Sequence, residues 1–223
     1  LLLRDATRER LLPCLLSYAT GTLLGAAFLG MLPKSLEKAA PLTVTGTVLA
    51  GIVAFFILEK LIVWRHCHEA DCETHAHKGG ALILIGDAFH NFVDGVVIAA
   101  AFLTSPALGV ATALAVIAHE IPQEVGDFAI LLATGMSKAK AFSLNLLSSL
   151  STLPGLLLGW FWLAEVREAI PYVLAISAAS FIYIAIADLV PGLHRHVGAR
   201  ATVLQTLLML LGIGTIALFR FAH

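Results

Sequence analysis

Charged residues are scarce in this chain of 223 residues. Lysine, arginine, aspartate and glutamate make up 13% of it, and 59% of it is hydrophobic. An ordinary soluble domain has about 25% charged residues. The composition of this chain therefore excludes an ordinary soluble domain. The charges nearly cancel at −1 and form no basic patch, which excludes nucleic acid as a partner. Only three cysteines are present, and this odd number provides no disulfide framework.

Long apolar stretches occupy most of the chain. A helix that crosses a bilayer needs about 20 apolar residues, and seven stretches qualify: about 11–33, 43–64, 80–103, 106–134, 137–164, 169–193 and 201–221. We therefore predict an all-α polytopic membrane protein with a single transmembrane domain over residues 1–223. The opening residues read like the end of an earlier helix and have no features of a signal peptide. We therefore expect an eighth helix upstream in the full protein.

The basic residues between the stretches predict an orientation, because cytoplasmic loops are enriched in lysine and arginine. One side has four of them, and the other has nine. We expect the side with nine to be the cytoplasmic face of a plasma membrane, which places the His-rich loop 65–79 inside and the C-terminus outside. The nine are Arg4, Arg8, Arg10, Arg65, Lys78, Lys138, Lys140, Arg195 and Arg200.

Two of the apolar stretches carry a stripe of polar residues. At 3.6 residues per turn, each stripe lies on one face of its helix. An ionisable group costs roughly 2.5–3.5 kcal/mol at membrane depth, so an inert structural network of this size is the less favoured interpretation. The first stripe is Asp87, His90, Asn91 and Asp94, and the second is His119, Glu120, Gln123, Glu124 and Asp127.

Histidine nitrogens mixed with carboxylates are ligands for divalent transition metals. A connection of only a few residues joins the two stretches, so we expect antiparallel neighbours whose stripes meet near mid-depth. We predict that His90, Asp94, His119 and Glu120 form a metal site, with Gln123 as a weaker contributor. Pro122 frees the Ala118 carbonyl for a cation or a water.

Other candidate ligands leave alternatives open. Met31 offers a thioether to a soft metal or simply packs in the core. The loop 65–79 holds four histidines and two cysteines, which favours weak metal binding or a solvated loop. A third group lines the same cavity as the stripes or bonds back to its own helix: Asn145, Ser148, Ser149 and Thr152.

The motifs HNFVDG and HEIPQEVGDFAIL strongly resemble the ZIP family of zinc and iron transporters, in particular its LIV-1-like branch. SYATGTLLGAAFLGMLP, FFILEKL and SFIYIAIADLVP are similar to three other helices of that family. The resemblance covers nearly the whole sequence. It implies eight helices, both termini outside, a homodimer and movement of divalent metal into the cytoplasm.

Carried over to this sequence, the resemblance implies a main metal site on His90, Asp94, His119 and Gln123. It implies a neighbouring second site on Asn91, Asp94, Glu120 and Gln123. Gln123 stands where LIV-1-like proteins usually have a second histidine. The transported metal is expected to be Zn²⁺, with Cd²⁺, Fe²⁺, Mn²⁺ and Co²⁺ left open.

The alternative is an intramembrane zinc metallohydrolase. His119-Glu120 starts like the HExxH motif, in which two histidines bind zinc and the glutamate acts as a base. The second histidine position is Gln123, so the motif fails. We therefore expect a transporter and not an enzyme.

Overall fold

The computed structural model describes residues 5–67, 76–195 and 198–221, with side chains placed for residues 11–60, 84–195 and 198–219. Within those ranges every regular element is a helix, and the helices form seven consecutive stretches. These are α1 (Asp5–Gly25, π-helical Ala26–Met31, Leu32–Leu36), α2 (Pro41–Cys67), α3 (Ala76–Thr104), α4 (Pro106–Ala133), α5 (Lys138–Ser149, Thr152–Glu165), α6 (Ile170–Tyr183, π-helical Ile184–Leu189, Val190–Leu193) and α7 (Ala199–Phe221).

The predicted class, an all-α polytopic membrane protein, is confirmed. By length and composition, six of the described stretches can cross a membrane, and α4 is not among them. At 28 residues α4 is long enough, but the polar stripe lowers its mean hydropathy. Large apolar side chains such as Leu42 on α2 and Leu207 on α7 are exposed on the outside of the bundle, as expected of a surface that faces lipid.

Glycines let pairs of helices approach closely. Helix α3 packs on α5, and α1 packs on α7. A Cβ at Gly155 would collide with the backbone of Phe92, and a Cβ at Gly21 would collide with the backbone of Met209. In lipid, close backbone contact replaces the hydrophobic effect as the source of helix association. This contact holds α3 in place, and α3 carries the first polar stripe.

The sequence analysis did not predict three features of the helices. A π-helical turn ends two residues before Pro33 and another two residues before Pro191, and α1 continues past residue 33 to Leu36. Helix α5 is interrupted, because Pro154 has no N–H to donate to the Leu150 carbonyl. That carbonyl instead accepts the N–H of Leu153 at 3.1 Å.

The His-rich loop was predicted for residues 65–79. Residues 68–75 lie outside the described part of the chain. On either side of them, α2 continues to Cys67 and α3 begins at Ala76, so helix occupies both ends of the predicted loop.

Candidate metal centre

The connection between α3 and α4 sets the two stripes face to face. Helix α3 ends at Thr104 and α4 begins at Pro106. Ser105 caps α4, and its Oγ accepts the Leu108 N–H at 3.2 Å, while proline suits the first helical position because it lacks an N–H. This tight turn makes the helices antiparallel neighbours, as the sequence predicted.

Both stripes point into the protein. On α3, Asp87, Asn91 and Asp94 are 5%, 2% and 1% exposed, and on α4 His119 is 1% exposed. The side chains of His90 and Glu120 are 24% and 12% exposed. Burial of this many polar groups within apolar helices requires that they face one another or a ligand.

Four side chains from the two stripes converge on one point: His90, Asp94, His119 and Glu120. The two Nε2 atoms of the histidines are 3.4 Å apart. His90 Nε2 lies 3.7 Å from Asp94 Oδ2 and 3.4 Å from Glu120 Oε1. His119 Nε2 lies 3.1 Å and 3.4 Å from the same two oxygens. We refer to these four residues as the histidine cluster.

These spacings match those of a metal site. A tetrahedral zinc ion with bonds of about 2.0–2.1 Å separates its ligand atoms by about 3.3–3.4 Å. Five of the six ligand–ligand distances in the histidine cluster are between 3.1 and 3.7 Å. Asp94 Oδ2 and both carboxylate oxygens of Glu120 are buried without a hydrogen-bond partner, so their lone pairs are free for a cation.

Two contacts outside the histidine cluster orient the ring of His119. Its Nδ1 lies 3.0 Å from the Ala115 carbonyl, which assigns the ring proton to Nδ1. Its ring also makes an edge contact with Phe181, with centroids 5.8 Å apart. Nε2 therefore presents a lone pair to the cluster, in the arrangement by which proteins usually orient a metal-binding histidine.

Neutral side chains form hydrogen bonds with Asp87 and Asn91 of the first stripe. Asn91 Nδ2 donates to Asp87 Oδ1 at 3.0 Å, and Gln123 Nε2 donates to the same oxygen at 3.2 Å. The Asn91 Oδ1 atom accepts from Thr152 Oγ1 at 3.0 Å. The Gln123 amide nitrogen is thus engaged with Asp87, which lies outside the histidine cluster.

A second group of carboxylates lies beside the first. Asp87, Glu120 and Glu124 offer oxygens that all lie within 4.8 Å of one another, and we refer to them as the carboxylate cluster. Glu120 belongs to both clusters. Helix α5 completes the surroundings, since Ser149 Oγ donates to Glu124 Oε1.

The serine and threonine side chains of α5 bond back to their own helix, and they are not among the residues that line the cavity beside the stripes. Ser148 and Ser149 donate to the backbone carbonyl of Asn145 at 2.8 and 2.9 Å, and Thr152 donates to that of Ser149 at 2.9 Å. Through their contacts with Glu124 and Asn91, Ser149 and Thr152 also support the two stripes.

A cavity of about 830 Å³ reaches the clusters from one end of the bundle. Its lining includes His90 and His119, and it extends to Asp127 on α4 and to Asp188 and Arg195 at the end of α6. The sequence analysis counted Arg195 only for the orientation, because it lies in the turn after α6 and is remote in sequence from both stripes. In the other direction from the clusters lies a packed core of alanine, leucine and other apolar residues.

The candidate Met31 lies in that core. It is fully buried and belongs to the apolar cluster that includes Leu108 and Phe181. Its π-helical segment packs against α4. Its role as a thioether ligand stays a prediction.

The profile of the family described as ZIP zinc transporter matches residues 65–220. The chain belongs to that family. This membership confirms the resemblance of the two motifs to that family and lends no support to the metallohydrolase alternative. As a member of this family with membrane-spanning helices, the chain is an integral membrane protein.

Three relatives illustrate the extent of the similarity. Zinc transporter ZIP13 of Pongo abelii is 34% identical in an alignment 223 residues long, and the alignment covers 92% of this chain and 66% of that protein. Zinc transporter foi of Drosophila melanogaster is 40% identical over 61% of this chain and 19% of its own length. Human zinc transporter ZIP4 is 43% identical over 50% of this chain and 17% of its own length. The chain thus spans less than two thirds of these relatives.

Proposed function

We propose that this protein moves divalent transition metal ions across a membrane, with Zn²⁺ as its main substrate, and that the histidine cluster is the transport site. The observation that carries the proposal is the set of five ligand–ligand distances between 3.1 and 3.7 Å. Two nitrogens and two carboxylate oxygens suit zinc. The same donors also bind Fe²⁺, Co²⁺, Mn²⁺ and Cd²⁺, among which geometry rather than affinity selects.

The direction of movement is proposed to be into the cytoplasm of a cell bounded by the plasma membrane. The cavity opens at the end of the bundle where α3 begins and α6 ends. By the excess of lysine and arginine, that end is the cytoplasmic one. In this orientation the segment 65–79 is cytoplasmic, the C-terminus is outside, and the metal leaves the histidine cluster past Asp127 and Asp188.

Two further features belong to the same proposal. The residues 1–223 act as one transporter domain, and the protein works as a homodimer. Family resemblance supports both of these features. Met31 and Gln123 are proposed as weaker contributors to metal binding.

Zinc uptake into sealed proteoliposomes tests the proposal. We expect the wild-type protein to accumulate Zn²⁺, a panel of competing divalent ions to rank the alternatives, and His90→Ala to abolish uptake. The matched control is His194→Ala, which removes a histidine from the end of α6 outside both clusters. Uptake by His90→Ala at the wild-type rate, with equal amounts of protein in the vesicles, would contradict the assignment of the site.

A further inference from the structure

We propose that Arg195 is a fixed positive charge that slows the entry of divalent cations from the open end of the cavity to the histidine cluster. The proposal rests on the proposed transport function and adds a residue that controls it from outside both polar stripes. Arg195 lies in the turn after α6 and lines the same cavity as His90 and His119. A guanidinium cannot act as a metal ligand, because it offers no lone pair and repels cations.

The first reason is that this positive charge is unpaired. Among the described residues that line the cavity, Arg195 is the only lysine or arginine, whereas Asp87, Asp127 and Asp188 are acidic. A guanidinium commonly forms two hydrogen bonds with a carboxylate. In the part of the chain that the structure describes, Arg195 forms no salt bridge and no side-chain hydrogen bond. Its charge therefore acts on the cavity without a partner that cancels it.

The second reason is that the turn which carries Arg195 is anchored. The last carbonyl groups of a helix have no partner within that helix. The Leu193 carbonyl instead accepts a hydrogen bond from Gln205 Nε2 of α7 at 3.1 Å. The backbone N–H of His194 donates to the Val190 carbonyl at 3.2 Å. These two bonds hold the backbone directly before Arg195, so its charge has a defined place beside the cavity.

The third reason is that the cavity gives access to the clusters from one end of the bundle. In the other direction the clusters border the packed apolar core. A cation that enters from the open end therefore reaches the histidine cluster through the space that Asp127, Asp188 and Arg195 line. The two carboxylates attract this cation, and the guanidinium repels it. Arg195 thus opposes the tendency of the acidic cavity to draw metal back towards the site.

The size of the effect follows from Coulomb's law. In water of low ionic strength, a unit positive charge lowers the concentration of a divalent cation about fourfold at a distance of about 10 Å. The screening length falls from about 30 Å at 0.01 M salt to about 3 Å at 1 M salt. A charge on the cavity wall should therefore change the rate of entry about threefold at low salt and hardly at all at high salt.

The test measures how fast Co²⁺ reaches the histidine cluster of the purified protein. Rapid mixing with Co²⁺ is followed by the visible absorption that develops when nitrogen ligands bind the ion. At about 0.01 M salt we expect Arg195→Gln to speed this step about threefold and Arg195→Glu about ninefold, because each variant subtracts one further unit of charge. Arg195→Lys keeps the charge and should stay near the wild-type rate. All of these differences should vanish at about 1 M salt.

The matched control is Arg200→Gln, which removes an exposed arginine near the start of α7 that does not line the cavity. Its rate should equal that of the wild type, and His90→Ala should develop no absorption. Equal rates across the charge series at low salt, differences that persist at high salt, or an Arg195→Lys rate equal to that of Arg195→Gln would overturn the role of Arg195 and leave the transport proposal standing. No absorption in the wild type, or absorption that persists in His90→Ala, would overturn both.

Discussion

The two histidines of the histidine cluster should respond differently to replacement by alanine, although both are proposed to bind the same ion. His90 is 24% exposed and lines the cavity, whereas His119 is 1% exposed and packs against Phe181. Losing an outer partner of a metal ligand costs about 10–100-fold in affinity. Losing a ligand itself should cost at least about 100-fold, or about 2.7 kcal/mol, in either variant.

Only His119→Ala should also destabilise the fold. The change removes roughly 65 Å³ of enclosed side chain, and at about 24 cal/mol per Å³ of remaining cavity this costs about 1.5 kcal/mol. Transfer of the side chain between the protein core and lipid adds no hydrophobic free energy, because lipid tails are as apolar as the core. At His90 the change merely widens a cavity that is already open, so the cost should be close to zero.

The assay combines Zn²⁺ binding with thermal unfolding in detergent, followed by the fluorescence of the three tryptophans. We expect equal loss of affinity in both variants, and a lower melting temperature only for His119→Ala. Wild-type affinity in His90→Ala would refute the ligand assignment. Equal melting temperatures in the two variants would refute the reasoning from burial.

Three other outcomes are expected. Apparent Zn²⁺ affinity of the purified protein should weaken as the pH drops from about 7.5 to about 5.5, because imidazole binds metal only when unprotonated and its ordinary pKa is about 6.5; affinity that stays flat over that range argues against two histidine ligands. Gly155→Val should prevent folding because its Cβ would meet the Phe92 backbone, whereas Gly214→Val, where the space is open, should be tolerated; comparable yields of monodisperse protein would contradict this. Replacing the loop histidines together by serine should alter the apparent affinity for uptake without abolishing it, and complete loss with normal expression would make the loop part of the pathway: His66, His68, His75 and His77.

The sequence by itself determined the fold class, the family and the two helix faces that carry the polar residues. Each of these depends on local information. Apolar runs of bilayer length predict spanning helices, and the 3.6-residue period places His90 and Asp94 on one face wherever α3 packs. Because Ser105 alone separates the two helices, the second helix runs antiparallel to the first. The meeting of the two stripes was therefore also predictable.

Only the tertiary structure decided how the polar residues divide into two clusters. The spacing along α4 permits Gln123 to face the same ion as His119, yet its amide nitrogen donates to Asp87. Which oxygen meets which nitrogen depends on how far α3 and α4 are shifted along each other, and on what α5 adds from behind through Ser149.

The cavity and the helix irregularities were likewise decided by packing. Arg195 lines the cavity because α6 lies beside α1 and α3, and no pattern within α6 encodes that position. The prolines at 33, 154 and 191 mark places where the hydrogen-bond ladder must adjust. Whether a π-helical turn or a break results depends on which neighbouring groups satisfy the freed carbonyls, and those neighbours come from the assembled bundle.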